Sequence, residues 1–212
     1  MDVRAVLFDM DGVLIDSEPF YNQRIDAFLK SIGRAPESMI DFTGSNDNAI
    51  WETLVPEDAT LRDALHAQYD AYRAVHPVDC VSRGNPQAPK LFEALHARGV
   101  LTAICSSSEL SMIQEYMHVQ NVESLIDFAI SGTQCAYHKP HPEIYLSAME
   151  ALGVQPRQCL VVEDSPIGIR AGLASGARVV ALSQYSADRL DQSEAHAIVG
   201  QLHDILSFVH PQ

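Results

Sequence analysis

An apolar run over residues 3–8 ends directly in Asp9-Met10-Asp11-Gly12. Such a run reads as a strand buried on both faces, so two carboxylates at its carboxyl end require a physical cause. Anions that close repel one another and raise one pKa unless a cation holds both ionised, which makes a metal site the simplest reading and a solvated acidic turn its rival. Gly12 supports the first reading, because glycine permits a sharp turn and close approach of a ligand to the main chain. Three further polar groups follow: Ser106-Ser107-Ser108 after a second apolar run, Lys139 beyond a third, and Glu163-Asp164 after a fourth. Asp9, Asp11, Glu163 and Asp164, with no His or Cys beside them, specify a hard cation with oxygen ligands, and Mg²⁺ is the default. The expected ligands are the Asp9 and Asp164 side chains and the Asp11 carbonyl, with Glu163 completing the acidic set. Mg²⁺ favours phosphate oxygens, so a phosphoryl group is the natural substrate moiety. Ser106 can hydrogen-bond that group, the Ser107 N–H can add the positive end of the next helix, and Lys139 can balance the charge. Asp9 is then the candidate nucleophile, and Asp11 the candidate general acid and base.

These residues must be brought together by the elements between them. From residue 89 onward helical spacing alternates with short apolar runs at 100–105, 128–130, 159–162 and 178–182. Repeated helix and strand units with right-handed crossovers give an α/β fold, a doubly wound parallel sheet covered on both faces. Ligands of such sheets lie outside the carboxyl ends of the strands, where all four groups fall. Residues 16–83 differ: the apolar spacing at Ile25, Phe28, Leu29 and Ile32, then Ile50, Trp51 and Leu54, then Leu61, Leu65, Tyr69 and Tyr72, is helical throughout. The expected organisation is an α/β core of residues 1–15 and 84–212 carrying an inserted helical cap of residues 16–83. Trp51, Tyr69 and Tyr72 read as a core stripe of that cap.

Composition narrows the partners. At 212 residues the chain can bury one large core, and its 28 acidic against 14 basic residues give a net charge of -14. That surface repels nucleic acid and anionic lipid, so an anionic substrate must be held by a local device. No apolar stretch approaches the roughly 20 residues of a membrane span. The four cysteines form no C-x-x-C, and Cys105 and Cys159 lie in apolar runs. Free buried thiols and a cytoplasmic location are expected.

Asp9-Met10-Asp11-Gly12, Ser106, Lys139-Pro140 and Glu163-Asp164-Ser165-Pro166-Ile167-Gly168 together resemble, in order, the four motifs of the haloacid-dehalogenase-like superfamily. The helical insertion resembles the C1-type cap of its beta-phosphoglucomutase-like subfamily. The resemblance implies a Mg²⁺-dependent enzyme, an aspartyl-phosphate intermediate and a cap that opens and closes over a small phosphorylated metabolite.

Within that superfamily Asp11 argues against dehalogenation, which needs no acid for a leaving group. A lysine that could form a Schiff base is wanting, since Lys30 alone occurs between residues 16 and 83 and reads as a solvated helix residue. A phosphosugar mutase is the alternative, but Tyr21 stands where its histidine would fall and Asp47 where an arginine would follow Gly44. The 16–83 segment also carries twelve acidic against six basic residues, a poor host for a bisphosphate. Hydrolysis of a phosphomonoester, a sugar phosphate among the candidates, is therefore expected. Glu18, Gly44, Ser45 and Asn46 are candidates for reading the rest of the substrate; each has an equally good account as a helix-capping or turn residue. His138 and His141 flank Lys139 but lack a third soft ligand and read as loop residues. From other classes, a phosphoacceptor receiver would need a shorter chain without the helical block, and a catalytically silent binding module would need a geometric defect.

Overall fold

Every residue of the first strand, β1 (Ala5–Phe8), is buried, as the apolar run requires. In the computed structural model, which describes residues 3–38, 40–42, 47–77, 79–185 and 190–209, five more strands join it. They are β2 (Leu101–Ser106), β3 (Phe128–Ser131), β4 (Cys159–Glu163), β5 (Arg178–Leu182) and β6 (Ala197–Val199). All pair in parallel, in the order β3-β2-β1-β4-β5-β6. The helices, in chain order, are α1 (Glu18–Ser31), α2 (Asp47–Leu54), α3 (Ala59–Ala74), α4 (Cys80–Arg83), α5 (Ala88–His96), α6 (Leu110–Val119), α7 (Glu143–Leu152) and α8 (Pro166–Ala174). Sheet and helices give the α/β doubly wound architecture expected from the sequence. β6 was not anticipated: its three half-exposed residues carry too little apolar signal to stand out.

Side chains alternate across the sheet. Ala5 and Leu7 of β1 share one core with Ala103 and Cys105 of β2, Cys159 and Val161 of β4, and Tyr145, Ala148 and Ile169 of α7 and α8. Phe8, pointing the other way, meets Phe92 of α5 edge-on at 5.2 Å, a favoured aromatic geometry. The strand order reverses between β1 and β4, where the chain first winds outward to β3 and then returns. Crossovers leaving in opposite directions open a crevice at the carboxyl ends of these two strands, and this is the place where ligands bind such sheets.

Contacts divide the chain into two compact units: Met1–Asp16 with Cys80–Gln212, and Ser17–Asp79. At the edge of the first unit the outgoing and returning segments pair with each other. Asp16 N–H donates to the Arg83 carbonyl at 2.9 Å, Asn85 N–H to Leu14 at 2.7 Å, and Ile15 bridges Gly84 in antiparallel fashion. The fully buried Asn85 adds a side-chain bond to the Val13 carbonyl at 3.1 Å.

The second unit is helical and is packed around Phe28, whose ring meets Trp51 at 6.2 Å and Tyr69 at 5.3 Å. Trp51 and Tyr69 are buried and Tyr72 packs against them, so the aromatic stripe belongs to a core. Asp58 caps α3 by accepting from Leu61 N–H at 2.9 Å, and Asn22 of α1 accepts from Phe42 N–H at 2.9 Å. Among the described residues, no helix is long and apolar enough to cross a membrane.

Candidate active site

β1 hands the chain straight to the acidic motif. Asp9 N–H donates to the Val162 carbonyl of β4 at 2.9 Å, extending the ladder by one residue and fixing where the Asp9 side chain begins. The chain then turns tightly, with Leu14 and Ile15 N–H groups donating to the Met10 carbonyl at 2.8 and 2.9 Å. Gly12 is needed twice over: its φ is +78°, and a Cβ there would overlap the Asp164 carboxylate. The glycine that makes the turn thus also lets β1's loop and β4's end approach each other.

Lys139 ties these ends together. Its ammonium donates to Asp9 Oδ1 at 2.5 Å, Glu163 Oε1 at 2.7 Å and the Cys105 carbonyl at the end of β2 at 3.1 Å. Glu163 is fully buried and saturated with donors. Tyr145 Oη donates to Oε1 at 2.7 Å, while Oε2 accepts from Asp164 N–H at 3.1 Å and from Ser165 N–H and Oγ at 3.3 and 3.2 Å. Gly168, on the first turn of α8, makes room for this carboxylate, because a Cβ there would overlap it. A helix N-terminus is a favourable place for such an anion. Asp9, Glu163 and Asp164, all buried, offer carboxylate oxygens within 4.8 Å of one another. An all-oxygen, all-carboxylate donor set of this kind fits a hard divalent cation.

Charge is the decisive quantity. Of the three clustered carboxylates, Asp9 and Glu163 bond the Lys139 ammonium, and Asp11 is near enough to Asp9 to act on its charge. Burial, the largest cause, pushes Asp9 up to about 8; Lys139 opposes this while Glu163 and Asp11 reinforce it. For Lys139 burial is again the largest effect and acts downward, but Asp9 and Glu163 together overcome it and hold the ammonium well above the usual lysine range. Lys139 is therefore held in its charged form beside Asp9 and Glu163. Burial first, then Glu163, also raises the Tyr145 phenol, which keeps it a donor.

The β2 end supplies hydroxyls. Ser106 is fully buried and its Oγ accepts from Ser108 N–H at 3.0 Å. Asp11 Oδ2 accepts from Ser108 Oγ at 2.7 Å and lies 3.4 Å from Ser106 Oγ. Asp9, Asp11, Ser106, Glu163 and Asp164 therefore lie at the carboxyl ends of β1, β2 and β4, and Lys139 reaches them from the segment between β3 and α7. Ser107 differs from expectation in one respect: α6 begins at Leu110 with Glu109 at its N-cap, so Ser107 sits in the preceding turn rather than at the head of a helix. Of the residues expected to read the substrate, Gly44, Ser45 and Asn46 lie outside the described residues, as does the side chain of Glu18. Lys30 pairs with Asp26 at 2.6 Å on an exposed helix face, in keeping with a solvated residue. His141 bonds its own loop, accepting from Glu143 N–H at 3.3 Å.

Sequence reasoning missed two participants. In the sequence Ser108 is only the end of a serine run, and Tyr145 falls at the apolar spacing of α7. Its phenol is the polar tip of an otherwise apolar stripe (Ile144, Tyr145, Ala148, Met149), a signal that a buried partner was waiting.

A six-stranded parallel sheet with a buried carboxylate cluster at its switch point defines an α/β fold with a candidate site at the ends of β1 and β4. The chain belongs to the haloacid dehalogenase-like hydrolase family, whose model matches residues 3–176. It is 28% identical over 187 residues to hexitol phosphatase B of Escherichia coli (strain K12), covering 84% of this chain and 82% of that one. It is 26% identical over 182 residues to the phosphoglycolate phosphatase of Aquifex aeolicus (strain VF5), covering 83% of each. Among solved structures it resembles a beta-phosphoglucomutase from Clostridium difficile, with a TM-score of 0.73 at 17% identity over 96% of this chain and 93% of that one, a likeness of fold.

Proposed function

We propose that this protein hydrolyses a small phosphorylated metabolite through a phosphorylated Asp9, using Mg²⁺. The observation that carries the reading is the all-carboxylate donor set at the β1/β4 crevice: buried Asp9, Glu163 and Asp164 with ligand oxygens within 4.8 Å of one another. Asp9 and Asp164 side chains and the Asp11 carbonyl would hold the cation. When bound, Mg²⁺ would neutralise the nucleophile and the phosphoryl oxygens together.

Each residue then has a part. Asp9, held by its backbone bond to β4, presents a carboxylate oxygen that displaces the alcohol from phosphorus; the P–O ester bond breaks as the Asp9 O–P bond forms. Asp11 gives its proton to the departing alkoxide, then removes one from the water that hydrolyses the acyl phosphate. Ser106 and the Ser107 N–H bind phosphoryl oxygens, and Lys139 adds positive charge at Asp9. Glu163, with both oxygens already accepting from protein donors, orients Lys139 and the start of α8. The Ser17–Asp79 unit serves as the cap that excludes water and reads the alcohol, with Glu18, Gly44, Ser45 and Asn46 as its candidate contacts. The names of the two relatives direct the first choice of substrates to hexitol phosphates and phosphoglycolate. Buried free thiols at Cys105 and Cys159 suit a reducing, cytoplasmic setting.

The test is phosphate release from p-nitrophenyl phosphate and from a panel of phosphorylated metabolites, with and without Mg²⁺. Metal-dependent turnover that disappears in Asp9→Asn supports the reading. Stable labelling without turnover would instead indicate a receiver. Glucose 6-phosphate formed from beta-glucose 1-phosphate and a bisphosphate primer, without net phosphate release, would indicate a mutase.

A further inference from the structure

Beyond the part of the chain that the family model matches lies a buried amide at the cluster's back. Gln192, on the segment between β5 and β6, is 6% exposed, and its Nε2 donates to the Asp164 carbonyl at 2.6 Å and the Leu182 carbonyl at 2.9 Å. The orientation of the amide is forced, since both partners are carbonyls that can only accept; turned over, its oxygen would face two oxygens in the interior. Both amide protons are thereby used.

The location gives this contact its meaning. The β4–β5 ladder pairs Leu160 with Arg178 and runs to its last pair, Glu163 with Ala181. Asp164 and Leu182 are the next residue on each strand, so Gln192 spans the two strands one step past the end of their pairing. It does so at the residue whose carboxylate belongs to the acidic cluster. That carboxylate also lies so close to Gly12 that a Cβ there would overlap it. Asp164 is thus held at two points: its side chain against the β1 turn, and its backbone carbonyl by the β5–β6 segment.

We infer that Gln192 is a positioning residue for the divalent-cation site: it fixes the end of β4 so that Asp164 meets Asp9 at ligand distance. This deepens the cation reading above and rests on it. A supporting partner of a metal ligand commonly contributes about 10–100-fold in affinity, because a carboxylate free to shift by fractions of an ångström must be ordered at the moment of binding.

The experiment measures Mn²⁺ binding to the full-length protein by electron paramagnetic resonance, with no substrate and at a temperature where every variant is folded. Gln192→Met keeps the volume and removes both donors; Gln192→Asn keeps the donors one methylene short of spanning the strands. The expected result is Mn²⁺ affinity roughly tenfold or more weaker in Gln192→Met and intermediate in Gln192→Asn. A purely structural role would lower the metal-free melting temperature while the folded protein bound Mn²⁺ as before, and that outcome overturns the inference. Should Gln192→Met fail to fold, the affinity of Gln192→Asn decides by the same criterion. Asp9→Ala, which removes the ligand oxygen outright, serves as the reference: if wild type binds no more Mn²⁺ than Asp9→Ala, the cation reading itself falls, and this inference with it.

Discussion

The two units of this chain bury different things. The Ser17–Asp79 unit closes around an aromatic and aliphatic cluster of Phe28, Trp51, Leu65 and Tyr69. The α/β unit buries Asp9, Ser106, Glu163, Asp164 and Gln192 as well as its apolar core. An apolar cluster gains free energy from each group it removes from water, whereas a carboxylate removed from water costs free energy until a donor or a cation meets it. Stability should therefore be most easily lost in the helical unit, and activity in the α/β unit, with little exchange between the two.

Asp9→Asn is the severest test of that contrast. Phosphate release should fall by roughly a thousandfold or more, because the nucleophile is gone. The melting temperature in EDTA should hold or rise, since one of three crowded carboxylates is neutralised; a fall of several degrees would contradict the charge argument. Phe28→Ala should do the reverse. It empties the centre of the helical core at a cost of about 3–5 kcal/mol, read by denaturant titration, with the cation affinity of the folded protein unaltered. Unchanged stability there would mean the aromatic cluster is not the core of its unit.

Gly168→Ala should sit between these extremes. The new methyl meets the Glu163 carboxylate, which cannot move without releasing Lys139, so a loss of roughly 1–3 kcal/mol in stability should accompany weakened turnover. Tyr145→Phe removes one donor from Glu163 and leaves Lys139 in place; about 1.5 kcal/mol of stability is expected to go, with kcat affected more than KM. A change confined to KM would place Tyr145 nearer the substrate than its contacts do.

The smallest effect concerns pH. With Asp9 pushed up to about 8 in the metal-free folded state, the folded form holds its proton more tightly than the unfolded chain does. Stability from this group is therefore complete at low pH and lost as pH rises toward 8. The melting temperature in EDTA should decline between pH 5.5 and 8.5, and the increment produced by Mg²⁺ should grow over the same interval. A flat increment would mean that Asp9 titrates independently of the cation.

Parts of this arrangement were legible along the chain because they depend on local order. The apolar run ending in Asp9 had to be a buried strand, and β5 falls at residues 178–182 as its apolar pattern requires. The two glycines flanking the cluster, Gly12 and Gly168, were present in the motifs, although their reason is spatial. The polar partners were not legible. Tyr145 falls at core spacing in α7, Ser108 ends a serine run, and Gln192 stands in no motif, because nothing adjacent in sequence reveals what a side chain will meet.

Sequence alone determined the α/β class, the helical block and the residue types that can do phosphoryl chemistry, since strand burial, helical periodicity and carboxylate chemistry are properties of short segments. Tertiary structure alone decided that Lys139 would sit between Asp9 and Glu163, 130 and 24 residues away in the chain, and that Gln192 would hold Asp164 from 28 residues beyond. Those pairings follow from the strand order, which sets side by side the ends of strands that the chain itself keeps far apart.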